Sequence, residues 1–304
     1  MKFGVHSPSF IYNEPNIFDG VKKKVIWIEE HGFDWFSVMD HLIQIPVHGL
    51  PEEPFMESWT LLSALAVVTM RIRLSTLVTS TSYRNPALLA KMVTNLDLIS
   101  KGRITLGIGA GWYEDEYKQY GFEFSGKPAE RIYRLEEAVK LIKEMWTQER
   151  ATYHGKYFHV ENAILEPKPI QKPHPPILVG GAGEQLTLRT VARVGNMCNI
   201  IGPPAEVKKK FEVLKQHCVK ERRDYNEIER TALCNILIAK DESALKSKIE
   251  KANLFKGRGL TVETAKELFN QYQSADVQML ICSIYQNDVE TLELLAELKE
   301  NFKM

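Results

Sequence analysis

Five places along the chain put polar or glycine-rich residues directly after an apolar, strand-like run, where chemistry can be presented without disturbing a core. They are His6-Ser7, Asp40-His41, Val78-Thr79-Ser80, Gly109-Ala110-Gly111-Trp112 and Gly180-Gly181-Ala182-Gly183. An imidazole ionises near neutrality, so His41 suits proton transfer at a site where a carbonyl gains or loses hydride. A structural histidine is the competing reading, and His6 and His48 are weaker candidates for the same work. Neighbouring strand residues point to opposite faces, so Asp40 and His41 need not form a dyad. One can face a cofactor while the other faces substrate or a neighbouring loop. Gly180 to Gly183 stand between an apolar strand and a helix, where backbone N–H groups and a helix N-terminus can approach a phosphate. A plain tight turn explains the same residues. Gly109-Ala110-Gly111 would let a flat ring lie close to the backbone, and Trp112 is either a pocket wall or ordinary packing. No HExxH motif, Ser-His-Asp order or carboxylate cluster with metal-ligand spacing is present, so no catalytic metal is expected.

These residues need a scaffold that gathers strand ends. Short strands are expected at Lys2 to His6, Phe33 to Met39, Ile72 to Val78 and Ile104 to Ile108, with helices between them over Phe18 to His31, Trp59 to Thr69 and Ala87 to Ile99. The helical period continues from Pro128 to Trp146, with Glu130, Arg131, Arg134 and Glu137 spaced for mutual charge pairing. Ala151 to Pro176 breaks the rhythm with hairpin-like and proline-rich stretches and reads as an insertion packed on the domain. Alternation then resumes through Ile177–Val179, Gln185–Val194, Met197–Ile201, Ala205–Arg222 and Arg230–Ala239. Glu242 to Gln273 reads as mostly helix, Val277 to Ile284 as the last strand, and Val289 to Phe302 as the last helix. Parallel neighbours require crossover connections. Eight such units over 304 residues favour a single (β/α)8 barrel, residues 1–304, over an open doubly wound sheet, and no GxGxxG follows the first strand. In a barrel the active site lies at the C-terminal ends of the strands, where the candidate residues stand.

Lys+Arg and Asp+Glu both number 39, so no basic excess exists to neutralise a nucleic-acid backbone or an anionic membrane. Lys22-Lys23-Lys24 and Lys208-Lys209-Lys210 read as solvated helix faces. Cys198, Cys218, Cys234 and Cys282 lack metal or redox spacing and read as reduced, mostly buried thiols. Met1 leads straight into a strand, and no apolar run is long enough to span a bilayer, so a cytoplasmic location is expected.

Ser37-Val38-Met39-Asp40-His41, Tyr83-Arg84-Asn85-Pro86-Ala87, Leu96 to Arg103, Leu106 to Trp112 and Pro175 to Gly181, in this order, resemble the luciferase-like monooxygenase family. Within it the chain is most similar to coenzyme F420-dependent oxidoreductases, and the resemblance runs from Phe3 to the last helix. It implies a (β/α)8 barrel with an insertion after the fourth helix, and a deazaflavin or FMN across the barrel mouth. The family's phosphate site matches Gly180, Gly181 and Gly183, with Ala182 between them. Its ring-contacting aspartate and active-site histidine match Asp40 and His41. Its backbone bulge after the third strand, which holds a non-prolyl cis peptide in several members, matches Leu77-Val78. The family's sugar-phosphate dehydrogenases carry a catalytic glutamate where Trp112 stands here, with Glu114 and Glu116 nearby but shifted. That departure argues against a glucose-6-phosphate-type substrate.

The expected activity is hydride transfer between F420 and a small organic substrate. An FMN-dependent monooxygenase and a flavin-binding protein without turnover are the alternatives. A homodimer is implied by the resemblance, and Leu42 to Met56 and Asn253 to Gln273 are the expected selectivity segments.

Overall fold

A computed structural model describes residues 1–10, 12, 14–252 and 257–302. Eight parallel strands close into a barrel: Lys2–Ser7, Trp35–Val38, Arg73–Thr76, Ile104–Gly109, Ile177–Gly180, Met197–Ile201, Glu229–Ala239 and Met279–Ile284. Closure is set by register, with His6 opposite both Ser37 and Ser283, and Glu229 opposite Met197. Most of these strands are buried on both faces, as expected where helices cover a parallel sheet.

Residues alternate between two cores. Outward side chains such as Val5, Phe36, Leu74 and Leu106 join the large cluster beneath the helices. Trp35, Leu178, Met197, Met279 and Ile281 fill the barrel interior. The N-terminal end is plugged. Arg73 spans the interior to a bidentate pair with Glu229, both N–O distances 3.0 Å, and its guanidinium lies 5.2 Å from the Trp35 ring centroid. Side chains thus fill the barrel at its N-terminal end.

Two residues inside the quoted motifs are structural. Asp97, fully buried, accepts the N–H groups of Ile170 (2.7 Å) and Gln171 (3.1 Å) and so ties down the insertion. Arg103 caps the end of helix Ser58–Val68 by donating to the carbonyls of Ala66, Thr69 and Ile72 at 2.8–3.0 Å. The insertion opens with an antiparallel hairpin, Ala151–His154 against His159–Ala163. Glu137 accepts N–H groups of Lys156, Tyr157 and Phe158 from that hairpin.

Several expectations need correction. Glu137 is thus not paired along its own helix, and Glu130 bonds Ser125 while Arg134 bonds Glu123. The helical reading of Glu242 to Gln273 is interrupted. Helix Glu242–Lys251 gives way to a strand, Arg258–Thr261, alongside Ile236–Ala239, before helix Val262–Ser274 begins at a Thr261–Thr264 capping box. The backbone pairing that interrupts it is long-range and leaves no local mark. Residues 253–256 of the expected selectivity segment lie outside the described residues. Lys24 is not solvated: it is 8% exposed, turned inward to Ser7 Oγ (3.3 Å) and Asn287 Oδ1 (2.5 Å). Burial pushes its ammonium pKa down to about 7. Lys208 and Lys209 are exposed, and Lys210 pairs with Glu184 at 2.9 Å. All four cysteines are free and buried. Among the described residues, no helix is long and apolar enough to cross a membrane.

Candidate active site

A cavity of about 620 Å³ opens at the C-terminal end of the barrel, a size that suits an organic cofactor with a small substrate. All eight strand ends contribute to it. His6, His41, Val78 and Ala110 come from the first four, and Gly181, Asn199, Asn235 and Ser283 from the last four.

His41 stands three residues beyond the second strand, and its position depends on a carboxylate that strand-end reasoning did not select. Its Nδ1 lies 2.8 Å from Glu116 Oε2. Glu116 sits on a short helix, Glu114–Tyr120, and is fully buried. It also accepts the Leu42 N–H, the Ile43 N–H at 3.4 Å and the Tyr83 hydroxyl. Burial pushes its carboxyl pKa up, but the bonds from His41, Leu42 and Tyr83 outweigh that and hold it below the usual carboxylate range. The Tyr83 phenol is pushed the other way, by burial and then by Glu116, and keeps its proton. An ionised carboxylate only accepts, so His41 Nδ1 carries the hydrogen and Nε2 is left for a molecule in the cavity. The arrangement leaves Nε2 able to accept or donate one proton while the ring is held from behind.

Asp40 lies on the same wall but is turned away from His41. Arg84 grips it in bidentate fashion at 2.6 and 3.1 Å, and the Thr79 hydroxyl donates to Oδ2. Arg84 also binds Glu57, so one guanidinium serves two carboxylates. Tyr83 and Arg84 belong to a recognised motif, yet their roles are visible only once the strand-three loop has folded over Asp40 and Glu116.

The peptide bond between Leu77 and Val78 is cis, matching the expectation for that bulge, and both residues line the cavity. Val78 also explains two glycines. A Cβ at Gly109 would stand 2.6 Å from Val78 Cγ2, and one at Gly180 would stand 2.9 Å from both Val78 methyls. The space expected to admit a flat ring against Gly109 is therefore occupied by Val78.

Gly180, Gly181 and Ala182 line the cavity. Gly183 does not: it faces Thr187, and its carbonyl accepts the Leu188 N–H at 3.0 Å as helix Thr187–Val194 begins. Gly181 has φ +122°, a conformation that side-chain-bearing residues rarely adopt. Its N–H is taken by the Asn199 carbonyl at 3.3 Å. Among the described residues, the amides of Ala182 and Gly183 have no intramolecular acceptor, so an anion here would meet these and the helix N-terminus rather than Gly180 and Gly181.

Trp112 is 58% exposed on the rim, edge-on to His41 with ring centroids 5.9 Å apart. His6 and His48 complete the wall. Burial, then repulsion from His48 and Lys24, pushes the His6 pKa down to about 3. Burial, then His41, pushes that of His48 down to about 4. Both are neutral at neutral pH. A neutral His6 can accept from Ser37 Oγ, 3.0 Å from its Nδ1.

Glu116 is a positioning residue, and its role is separable from folding. Glu116→Gln keeps the shape and the N–H partners but can no longer fix the His41 tautomer. The expected result is a fall in kcat of about 10- to 100-fold with KM nearly unchanged, the size of effect seen when the carboxylate that orients a functional histidine is lost. A matching rise in KM, or a kcat close to wild type, would assign Glu116 to structure alone.

Residues 1–293 match the family model described as luciferase-like monooxygenase. An F420-dependent glucose-6-phosphate dehydrogenase of Gordonia bronchialis is 31% identical over 210 residues, 66% of this chain and 59% of that protein. An FMNH2-dependent dimethylsulfone monooxygenase of Pseudomonas putida is 32% identical over 126 residues, 41% of this chain and 34% of that protein. In the first curated relatives it matches, the chain spans about three fifths of their length. An F420-dependent secondary alcohol dehydrogenase, solved as an F420-acetone adduct, superposes with a TM-score of 0.85 at 19% identity, covering 100% of this chain and 99% of that one. That likeness concerns the fold.

Proposed function

Because the chain belongs to the luciferase-like monooxygenase family, we propose that it is an oxidoreductase that holds coenzyme F420 and moves a hydride to or from a small organic substrate. The observation that carries this reading is His41, anchored by Glu116 with Nε2 left to the cavity, beside a glycine turn suited to phosphate. The residues present fit such a cofactor. The cavity volume is adequate, and the turn at Gly181 keeps a side chain out of the anion's approach. Ala182 and Gly183 would hold the phosphate, and Val78 would bear on the ring system.

When bound, a deazaflavin supplies a carbon that takes or gives a hydride. The chain's own residues handle the rest. As an alcohol carbon loses hydride, His41 Nε2 takes the hydroxyl proton. In the reverse direction Nε2 returns a proton to the carbonyl oxygen as negative charge builds there. Glu116 holds the imidazole in place and stabilises its charged form.

The match to the F420-dependent relative extends over more of the chain than the match to the FMNH2-dependent one, which supports F420 over FMN. Titration of the purified protein with F420 and FMN, each oxidised and reduced, tests this. The expected result is saturable F420 binding at least tenfold tighter than FMN. Tighter FMN binding with oxygen-dependent turnover would move the protein to the monooxygenase reading, and affinity for neither would end both.

A further inference from the structure

The cavity wall around His41 has a chemical bias that bears on substrate class. Among the described residues, Arg131 is the one lysine or arginine on the wall, and its guanidinium is already committed. Nε donates to the Gly111 carbonyl at 3.1 Å, Nη1 to the Ser125 carbonyl at 2.5 Å, and the group lies 4.6 Å from the Phe124 ring centroid. His6 and His48 are neutral, as described above. Lys24 lies behind His6, off the wall, and is bound to Ser7 and Asn287.

The fixed charges nearby lean negative. Asp40 and Glu57 share the single guanidinium of Arg84, and Glu116 is met by the His41 imidazole and by the neutral donors Leu42 N–H, Ile43 N–H and the Tyr83 hydroxyl. The remaining surface is apolar or neutral. Ile45, Val47, Trp112 and Ile132 line it with His41, together with the uncharged hydrogen-bonding groups of Asn235 and Ser283. Among the described residues, an anionic group placed there would lose hydration and find no free lysine or arginine, only the His41 imidazole, whose charge the buried Glu116 carboxylate already offsets, a combination that disfavours binding.

Resting on the hydride-transfer reading above, we propose that the His41 half of the cavity selects an uncharged, largely apolar alcohol or carbonyl compound and rejects substrates carrying a carboxylate or phosphate. The polar recognition of such a substrate reduces to one oxygen, directed at His41 Nε2. The hydrocarbon part lies against the apolar wall, where each buried CH2 contributes to affinity. The cofactor's own anion is not in conflict with this, because the glycine turn that would take it lies at the fifth strand end, away from the His41 wall.

The test compares 2-heptanone with heptanoate and glucose 6-phosphate, read by tryptophan fluorescence and by thermal shift. The protein is saturated with F420 or FMN, or with excess inorganic phosphate in the cofactor-free state, so that the glycine turn is filled throughout. The expected result is that 2-heptanone binds at least tenfold tighter than either anion. Ile132→Lys, which puts a free cation on the wall, should shrink or reverse that ratio for heptanoate. Equal or tighter binding of heptanoate or glucose 6-phosphate by the wild-type protein overturns the proposal. So does failure of the folded protein to bind 2-heptanone. Loss of affinity for both flavins would instead strike the reading above, while the phosphate-filled arm still decides this one.

Discussion

Replacing His41 by alanine is expected to leave a folded protein that binds cofactor normally but turns over about 10²- to 10⁴-fold more slowly, the contribution of a positioned acid or base. The fold should survive because the partner left behind is not orphaned. Glu116 keeps the N–H groups of Leu42 and Ile43 and the Tyr83 hydroxyl. Losing one donor to an otherwise satisfied carboxylate costs on the order of 1–3 kcal/mol. The side chain itself removes little core, since it forms part of the cavity wall. Three measurements separate the possibilities: cofactor titration, thermal melting, and steady-state kinetics with a substrate of the class proposed above. Near-normal turnover, or melting without a specific kinetic defect, would return His41 to a structural role.

Gly181→Val is expected to weaken cofactor binding by at least about tenfold, or 1.4 kcal/mol, with a smaller loss of stability. Two effects act at this position. The backbone sits at φ +122°, which a β-branched residue adopts only with strain of order 1–3 kcal/mol. A Cβ would also stand 3.1 Å from Thr187 Cγ2, so the added methyls press on the residue that opens helix Thr187–Val194. Relaxing either strain moves the amides of Ala182 and Gly183, the groups proposed to hold the phosphate. Flavin fluorescence titration beside a melt checks this, and an unchanged Kd in a folded variant would remove the glycine turn from the cofactor site. Gly183→Ala tests the turn's other amide without backbone strain, because Gly183 does not share the positive φ and its Cβ would meet only the Thr187 hydroxyl, at 2.9 Å, which a side-chain rotation can relieve. It should cost less affinity than the change at Gly181.

Much of the molecule was legible before folding. Apolar periods of two and 3.6 residues marked the eight strands and most helices, and with the crossover requirement they determined a parallel barrel. Strand-end position then pointed to the loops holding His41, Val78, Gly109 to Trp112 and Gly180 to Ala182, and the family resemblance added Leu77, all of which meet at one cavity. These are short-range properties, encoded in a handful of consecutive residues.

What the residues do to one another was decided by tertiary structure. His41 and Glu116 are 75 positions apart, and their hydrogen bond exists because closure of the barrel brings the second and fourth strand ends together. Helix Glu114–Tyr120, with seven residues, is too short for its period to stand out. Arg84 turned Asp40 into half of an ion pair, and Val78 took the space that Gly109 leaves, contacts that no local pattern specifies. Lys24 shows the same limit from the other side. As one of three lysines on a helix it reads as solvated, yet the rotation of that helix against the barrel buries it over Ser7. A sequence records which backbone geometry each segment prefers. Which side chains end within 3 Å of one another depends on where barrel closure carries segments far apart in the chain.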